Sequence, residues 1–502
     1  MRYLIRSGAA IAAVAGMLLT GAPATAASAS DRRPVPDTAG LAGYLKDRQA
    51  REDLPGLSAA VVHGDRVLRT YTEGVSGDGE PVTDQTPFLI GSVSKPITAT
   101  LVLGLVEQGL VGLEDQVRRH LPAFRTADEA TAARVTIRHL LNHTSGLPEI
   151  AGRGLTDRFD NDPGGLSRSL RDLADVRPIA EPGARHEYSG ANYIVLGALV
   201  EAVTGRTFAD HLRSALIEPL ELRHTAATAA EAARIGLPAG HRTYLGRPQR
   251  FDSPYDTSGA PYGYLAASLT DLTRFASAQL EGGRYGQSRL LAPESVEQMQ
   301  RGTTALPSGG AYGLGWRDTK VDPAGTRIVW HAGSTPGYFA HLLLVPDAGL
   351  AVVVLANRYS LADDAALAGI GFDLVRMLTG GSAAPAAADP VLTWLAPALL
   401  ALAGGLTVAL AATVVRGVRR LRAGPRPGRR AVVTGTAWSI GYLLLAAAAV
   451  RGLPRLFGAD GLSTVSLWMP DLGHALTAVA ILGVVTASTR IGLTLAATRT
   501  TR

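Results

Sequence analysis

From residue 391 onward the chain carries three long apolar stretches, 391–415, 431–450 and about 473–497, the last interrupted by Arg490. About 20 apolar residues in a helix match the hydrocarbon thickness of a bilayer, so this region constrains the chain more than any other feature. The first two stretches are long enough to cross and the third is marginal, which sets an expectation of two to three transmembrane helices over 391–502. Arg416, Arg419, Arg420, Arg422, Arg426, Arg429 and Arg430 lie between the first two. The positive-inside rule places that loop in the cytoplasm and everything before residue 391 outside; Ala-rich core helices would leave the arginine block unexplained.

The other end of the chain agrees. Met1-Arg2 and Arg6 precede an apolar run over 9–20, and Ala24-Thr25-Ala26 follows as a cleavage site. A basic start, a short apolar run and small residues read as a secretory signal over 1–26, with cleavage after Ala29 as a variant; the run is short for a permanent anchor. Residues 380–390, GGSAAPAAADP, form a linker. The expectation is a multi-pass protein of the cell membrane, its domain of 33–379 on the extracytoplasmic side.

Hydrophobic residues at 46% and charged residues at 18% exclude a disordered chain. The net charge of +6 comes largely from arginines, many beside apolar runs, which is not the clustered basic face that nucleic acid requires. There is no cysteine, which excludes disulfides, thiolate catalysis and cysteine metal sites.

Within 33–379, residues 41–50 are amphipathic, and strand patterns at 57–63 and 66–73 are joined across Gly64-Asp65. Further strand patterns lie at 327–330, 338–345 and 350–356, and a helical pattern over 361–378 closes the domain. Strands at both ends around a helical middle predict an α+β fold: one antiparallel sheet from distant segments, flanked by helices, with a helical subdomain beside it.

The chemically loaded segment is FLIGSVSKPIT, residues 88–98. Ser92 lies where a turn enters a helix, and Lys95, three residues on, shares its face. A hydroxyl needs a base to become a nucleophile, and a desolvated lysine can be one. Only three lysines exist in the chain, Lys46, Lys95 and Lys320. Arginine, which cannot serve as a base near neutral pH, has replaced lysine almost everywhere else, so a lysine retained here is informative. A capped helix start is the bland alternative.

This segment resembles the active-serine segment of the class C β-lactamase and D-Ala-D-Ala carboxypeptidase family, which also includes D-aminopeptidases and esterases. Matching segments follow in order: VTIRHLLNHTSGLP at 135–148, Tyr188-Ser189 before a helix ending at Thr204-Gly205, LTDLTRF at 269–275, YGLGW at 312–316 and HAGSTPG at 331–337. The resemblance covers about 37–378 and implies a β-lactamase/transpeptidase-like fold. It also implies an acyl-enzyme on Ser92, with Lys95 and Tyr188 sharing the proton transfers and the backbone N–H groups of Ser92 and Ser334 as oxyanion hole. The charge of Lys95 would favour the phenolate of Tyr188, and the division of the base role stays open. His331, Gly333, Gly190 and Tyr312 are the substrate-binding candidates.

Two positions depart from the pattern. Gly190 stands where the family has an amide, Asn192 being offset by two residues, and Ala332 stands where it has a hydroxyl. Both changes point away from efficient β-lactam turnover and toward looser ester, peptide or amide chemistry. His139 and His143 have a zinc-compatible spacing but no third ligand, so no metal or cofactor is expected. Asp271 reads as a helix cap, and Tyr312 and Trp316 as cleft or packing residues. The expected partners are a small-molecule or cell-wall peptide substrate and the lipid bilayer. A β-lactam-binding receptor with little turnover is the alternative function.

Overall fold

The computed structural model describes residues 36–502 apart from 150–154, 322–324, 385–389, 424–427, 457, 460 and 500–502. The expected signal segment and part of the linker lie outside the described residues.

An eight-stranded antiparallel sheet forms the centre. Its strands are β1 Gly56–His63, β2 Arg66–Gly74, β3 Thr304–Ala305, β4 Ala311–Tyr312, β5 Arg317–Lys320, β6 Arg327–Thr335, β7 Tyr338–Val345 and β8 Leu350–Ala356, in the spatial order β2-β1-β8-β7-β6-β5-β4-β3. The sheet is thus built from distant segments, as expected, and β3 to β5 extend it beyond the five strands read from the sequence. Those three are short and largely polar, so they carry no period-2 signal.

Central strands are apolar at nearly every position because both faces are covered. In β8, Leu350, Val352, Val354 and Ala356 pack against helices α1 (Leu41–Arg51) and α5 (Asp364–Leu378). Ala351, Val353 and Leu355 point the other way, into the larger core shared with the helical middle. That middle contains α2 (Ser94–Glu107), α3 (Gly190–Thr204) and α4 (Leu269–Leu280). The Ser268 side chain, not Asp271, caps α4; Asp271 instead accepts from the Thr225 hydroxyl and the His224 amide. A carboxylate inside the first turn is free to reach sideways and pin a neighbouring loop.

Three further helices follow: α6 (Pro390–Ala423), α7 (Arg429–Ala447) and α8 (Pro470–Arg499). All three spans, Trp394–Ala423, Arg429–Leu456 and Pro470–Ala497, are long and apolar enough to cross a membrane, which settles the third stretch as equal to the other two. They pack through small and aliphatic residues such as Ala403, Leu406, Ala475 and Val479, while Trp394, Val408, Leu444 and Ile481 face outward. The segment between α7 and α8, together with the first turn of α8, meets the sheet domain. Arg242 donates to the Ser466 and Leu467 carbonyls, Asp471 accepts from the Leu245 and Gly246 amides, and Trp468 Nε1 donates to Asp157 at 3.0 Å.

Candidate active site

β6 pairs with β5 only through Arg327–Trp330; from His331 to Thr335 it pairs with β7 alone. One edge of this stretch is therefore open along the helical subdomain, and Ser92 sits against it. Two glycines permit that approach. Gly91 has φ +52°, and a Cβ there would lie 2.1 Å from the Ser334 nitrogen; a Cβ on Gly333 would lie 2.1 Å from the Ile90 oxygen and 2.5 Å from the Ser92 nitrogen. Backbone meets backbone, which brings the amides of Ser92 and Ser334 to one place.

Ser92 occupies the turn Gly91–Val93 at the start of α2 and remains partly accessible. Lys95, 1% exposed, places Nζ 2.9 Å from Ser92 Oγ and donates to the Tyr262 carbonyl at 2.7 Å. Burial, helped by the positive charge of Arg317, lowers its pKa to about 7, with Glu149 opposing weakly. No described carboxylate pairs with this ammonium, so loss of its proton is the way the site lowers its cost.

Tyr188, at the start of α3, donates its hydroxyl to Ser92 Oγ at 2.8 Å. The expectation of a favoured phenolate is overturned. Burial pushes the phenol up to about 12, outweighing the cationic Arg317 and the bond to Ser92. His143 backs the ring at 4.4 Å between centroids, and its Nδ1 accepts from the Ser189 amide. Burial, reinforced by Lys95, holds His143 well below the ordinary imidazole range. It is a structural support in a left-handed backbone conformation, φ +58°, while His139 completes the capping box of the helix Ile137–Leu141. Neither histidine is placed for metal, and no metal-type cluster exists among the described residues.

His331 is buried, with Tyr312 Oη 3.0 Å from Nε2 and the Ala332 carbonyl 2.7 Å from Nδ1. Burial and Lys95 keep it well below its usual pKa, so it is neutral; Nδ1–H donates to Ala332 and Nε2 accepts from Tyr312. Tyr312, itself fully buried, thus meets the site through its bond to His331, whereas the equally buried Trp316 stacks on Phe275. Asn192 turns inward to Ser145 and His143, and so cannot stand in for the missing amide. The space beside Gly190 is not vacant: a Cβ there would meet Thr156 Cγ2 at 2.9 Å and Tyr262 at 3.6 Å.

Sequence reasoning missed Arg317. Its guanidinium lies 5.7 Å from the Tyr188 ring, 5.9 Å from Tyr312 and 5.3 Å from Trp330, and it pairs with no described carboxylate. It follows YGLGW directly, but one arginine among so many gave no signal until β5 carried it to the cleft.

The sequence model of the Beta-lactamase family matches residues 41–375. Penicillin-binding protein 4 of Amycolatopsis lactamdurans is 34% identical over 317 residues, covering 61% of this chain and 81% of the relative. Esterase EstB of Burkholderia gladioli is 32% identical over 364 residues, covering 64% and 91%. Among solved structures, the octameric penicillin-binding protein homologue from Pyrococcus abyssi superposes with a TM-score of 0.60 over 72% of this chain and 81% of that one, at 22% identity, a likeness of fold. A D-stereospecific amidohydrolase from Streptomyces gives 0.52 over 64% and 95%, at 25% identity. With the fold, the ordered motifs and the family match in agreement, this chain is a member of the beta-lactamase family of serine hydrolases.

Proposed function

We propose that the protein is a membrane-anchored extracytoplasmic hydrolase whose Ser92 forms an acyl-enzyme with carboxylate-bearing D-amino-acid peptides and related amides or esters. The observation that carries this reading is the convergence of Lys95 and Tyr188 on Ser92 Oγ, at 2.9 and 2.8 Å, with Lys95 near pKa 7 and Tyr188 near 12.

These values divide the proton work. Neutral Lys95 takes the Ser92 proton as Oγ attacks the substrate carbonyl. Negative charge on the carbonyl oxygen is met by the Ser92 and Ser334 amides. As the tetrahedral adduct collapses, the C–N or C–O bond breaks and the leaving group takes a proton from Tyr188, which is replenished from Lys95. Water, deprotonated by the same pair, then attacks the ester carbonyl and restores Ser92.

Arg317 supports the substrate class. A guanidinium beside the cleft with no carboxylate partner among the described residues offers a fork for a substrate carboxylate, a partner that Ala332 cannot supply. The names of the relatives, a penicillin-binding protein, an esterase and a D-amidohydrolase, span the same acyl-transfer chemistry. The arginine loop 416–430 and the docking of the α7–α8 segment on the sheet domain support an outside catalytic domain, with α6 and α8 running inward and α7 outward.

Labelling with a fluorophosphonate and a fluorescent penicillin, together with hydrolysis of a D-Ala-D-Ala peptide and p-nitrophenyl acetate, tests the chemistry. Wild-type Ser92 should label and Ser92→Ala should not; equal labelling of both defeats the mechanism. Alkaline phosphatase should be active when fused at residue 385 and silent at 424, and the reverse pattern defeats the topology.

A further inference from the structure

Arg490 is the residue that interrupts the third apolar stretch, and catalysis does not use it. An arginine in a membrane helix is costly unless something receives its charge. Here Nε is buried without a partner, and the Nη1 contact to Thr413 Oγ1 is long at 3.4 Å. Arg490 faces a cavity of about 160 Å³ between α6, α7 and α8, into which Arg416 and Arg420 of α6 also reach. Those two are four residues apart and share a helix face. Neither makes a hydrogen bond or ion pair among the described residues. Three guanidinium groups therefore converge with no counter-charge among the described residues.

The described part of the three helices holds one acid, Asp471, already bonded to Leu245 and Gly246. It lies nineteen residues before Arg490, roughly 28 Å along the helix axis at 1.5 Å per residue. The remaining lining is small or apolar. Gly417 lies so close to Leu493 that a Cβ would come within 2.3 Å, whereas Gly435 leaves room, its nearest neighbour Thr494 at 4.0 Å. The cavity is a polar notch with a greasy floor, at the end of the bundle away from the catalytic domain.

We infer that Arg416, Arg420 and Arg490 form a binding site for the phosphate of an anionic glycerophospholipid in the inner leaflet. Arginine forks match phosphate oxygens, and basic notches between membrane helices on the cytoplasmic side suit anionic headgroups. The inference rests on the proposed topology, which the fusions at 385 and 424 test separately.

The test uses the purified full chain in detergent, with native mass spectrometry of retained dioleoylphosphatidylglycerol against dioleoylphosphatidylcholine. Inorganic phosphate serves as a third probe. One phosphatidylglycerol per chain should be retained with at least a tenfold preference over phosphatidylcholine. Arg416→Gln with Arg490→Gln should remove most of that preference, and Arg490→Lys should retain part of it. Fluorophosphonate labelling of Ser92, taken as the folding control, should persist in every variant; Trp438→Ala, on the outward face of α7, is the neutral comparison. Equal retention of the two lipids, or undiminished preference in the double variant, overturns the inference. So does protection against thermal unfolding by millimolar inorganic phosphate equal to that by phosphatidylglycerol, which would make the ligand a soluble anion.

Discussion

The two halves of this molecule each hide a cation and treat it in opposite ways. In the catalytic half, Lys95 is sealed beneath Ser92 with no carboxylate partner among the described residues, and burial brings its pKa to about 7. In the membrane half, Arg490 is also short of partners, but a guanidinium stays protonated under any physiological condition. A buried lysine can shed its charge and become a base. A buried arginine cannot, and the site must find it an anion. The comparison explains why a chain so rich in arginine keeps a lysine at position 95.

The most direct way to break the comparison is to impose one solution on the other half. Lys95→Arg should abolish turnover, by on the order of 10³-fold or more, since no neutral base remains. It should also lower the melting temperature, because the new charge cannot be shed. Lys95→Met should lose as much activity yet melt higher than wild type, its side chain filling the site without a charge. If Lys95→Arg stays active, or Lys95→Met melts lower, burial is not what makes Lys95 a base.

Next in size is the pH response. Below about pH 7 Lys95 holds its proton, so kcat/KM should rise with pH along a limb centred near 7 and then level off until the phenol titrates near 12. Stability carries the same sign. Between about pH 7 and the ordinary lysine value of 10.5, the unfolded chain binds more protons at this group than the folded one, so its penalty on folding shrinks as pH rises. A kcat/KM profile flat from pH 5 to 8 would contradict the assignment.

Arg317→Gln sharpens the contrast between titrating and permanent cations within the catalytic half itself. Losing a charge-assisted bond of about 1.5–3 kcal/mol should raise KM for a D-Ala-D-Ala peptide roughly 10- to 100-fold. Hydrolysis of p-nitrophenyl acetate, which carries no carboxylate, should change far less; equal losses on both substrates would remove Arg317 from substrate recognition.

The smallest expected effect tests whether the halves communicate. Trp468, from the segment between α7 and α8, donates to Asp157 and meets Tyr359 edge-on at 6.0 Å. Asp157 also accepts from the Tyr264 hydroxyl, and its amide donates to the hydroxyl of Tyr262, whose carbonyl holds Lys95. Trp468→Ala should lower the melting temperature by a few degrees, the usual yield of about 1 kcal/mol, with at most a severalfold change in kcat. An unaltered melting curve would mean that the two halves stand side by side without mutual support.

Much of the fold was legible because its signals are local or repetitive. The apolar strands β1, β7 and β8, the Ser92–Lys95 spacing and the first two long apolar helices each declare themselves over a short window. The short strands β3 to β5 did not, since polar edge strands lack alternation, and Arg317 was lost with them. The role assigned to Asp271 failed for a related reason. Its carboxylate satisfies a loop distant in sequence, and the helix cap falls to Ser268. At Gly190 the sequence showed a missing amide, but only the packing showed that Thr156 fills the space, so Gly190→Asn would have to displace it.

By itself the sequence determined that Ser92 stands one helical turn from Lys95, and that at least two stretches near the C-terminus are long and apolar enough for a bilayer. Both follow from helix periodicity and length, which need no knowledge of neighbours. Only the tertiary structure set the burial that favours Lys95 as base and Tyr188 as proton donor in the proposed mechanism, and left Arg317 and Arg490 without a carboxylate partner among the described residues. Those properties depend on what surrounds a charge and how far water is excluded from it, and chain segments far apart in sequence set both.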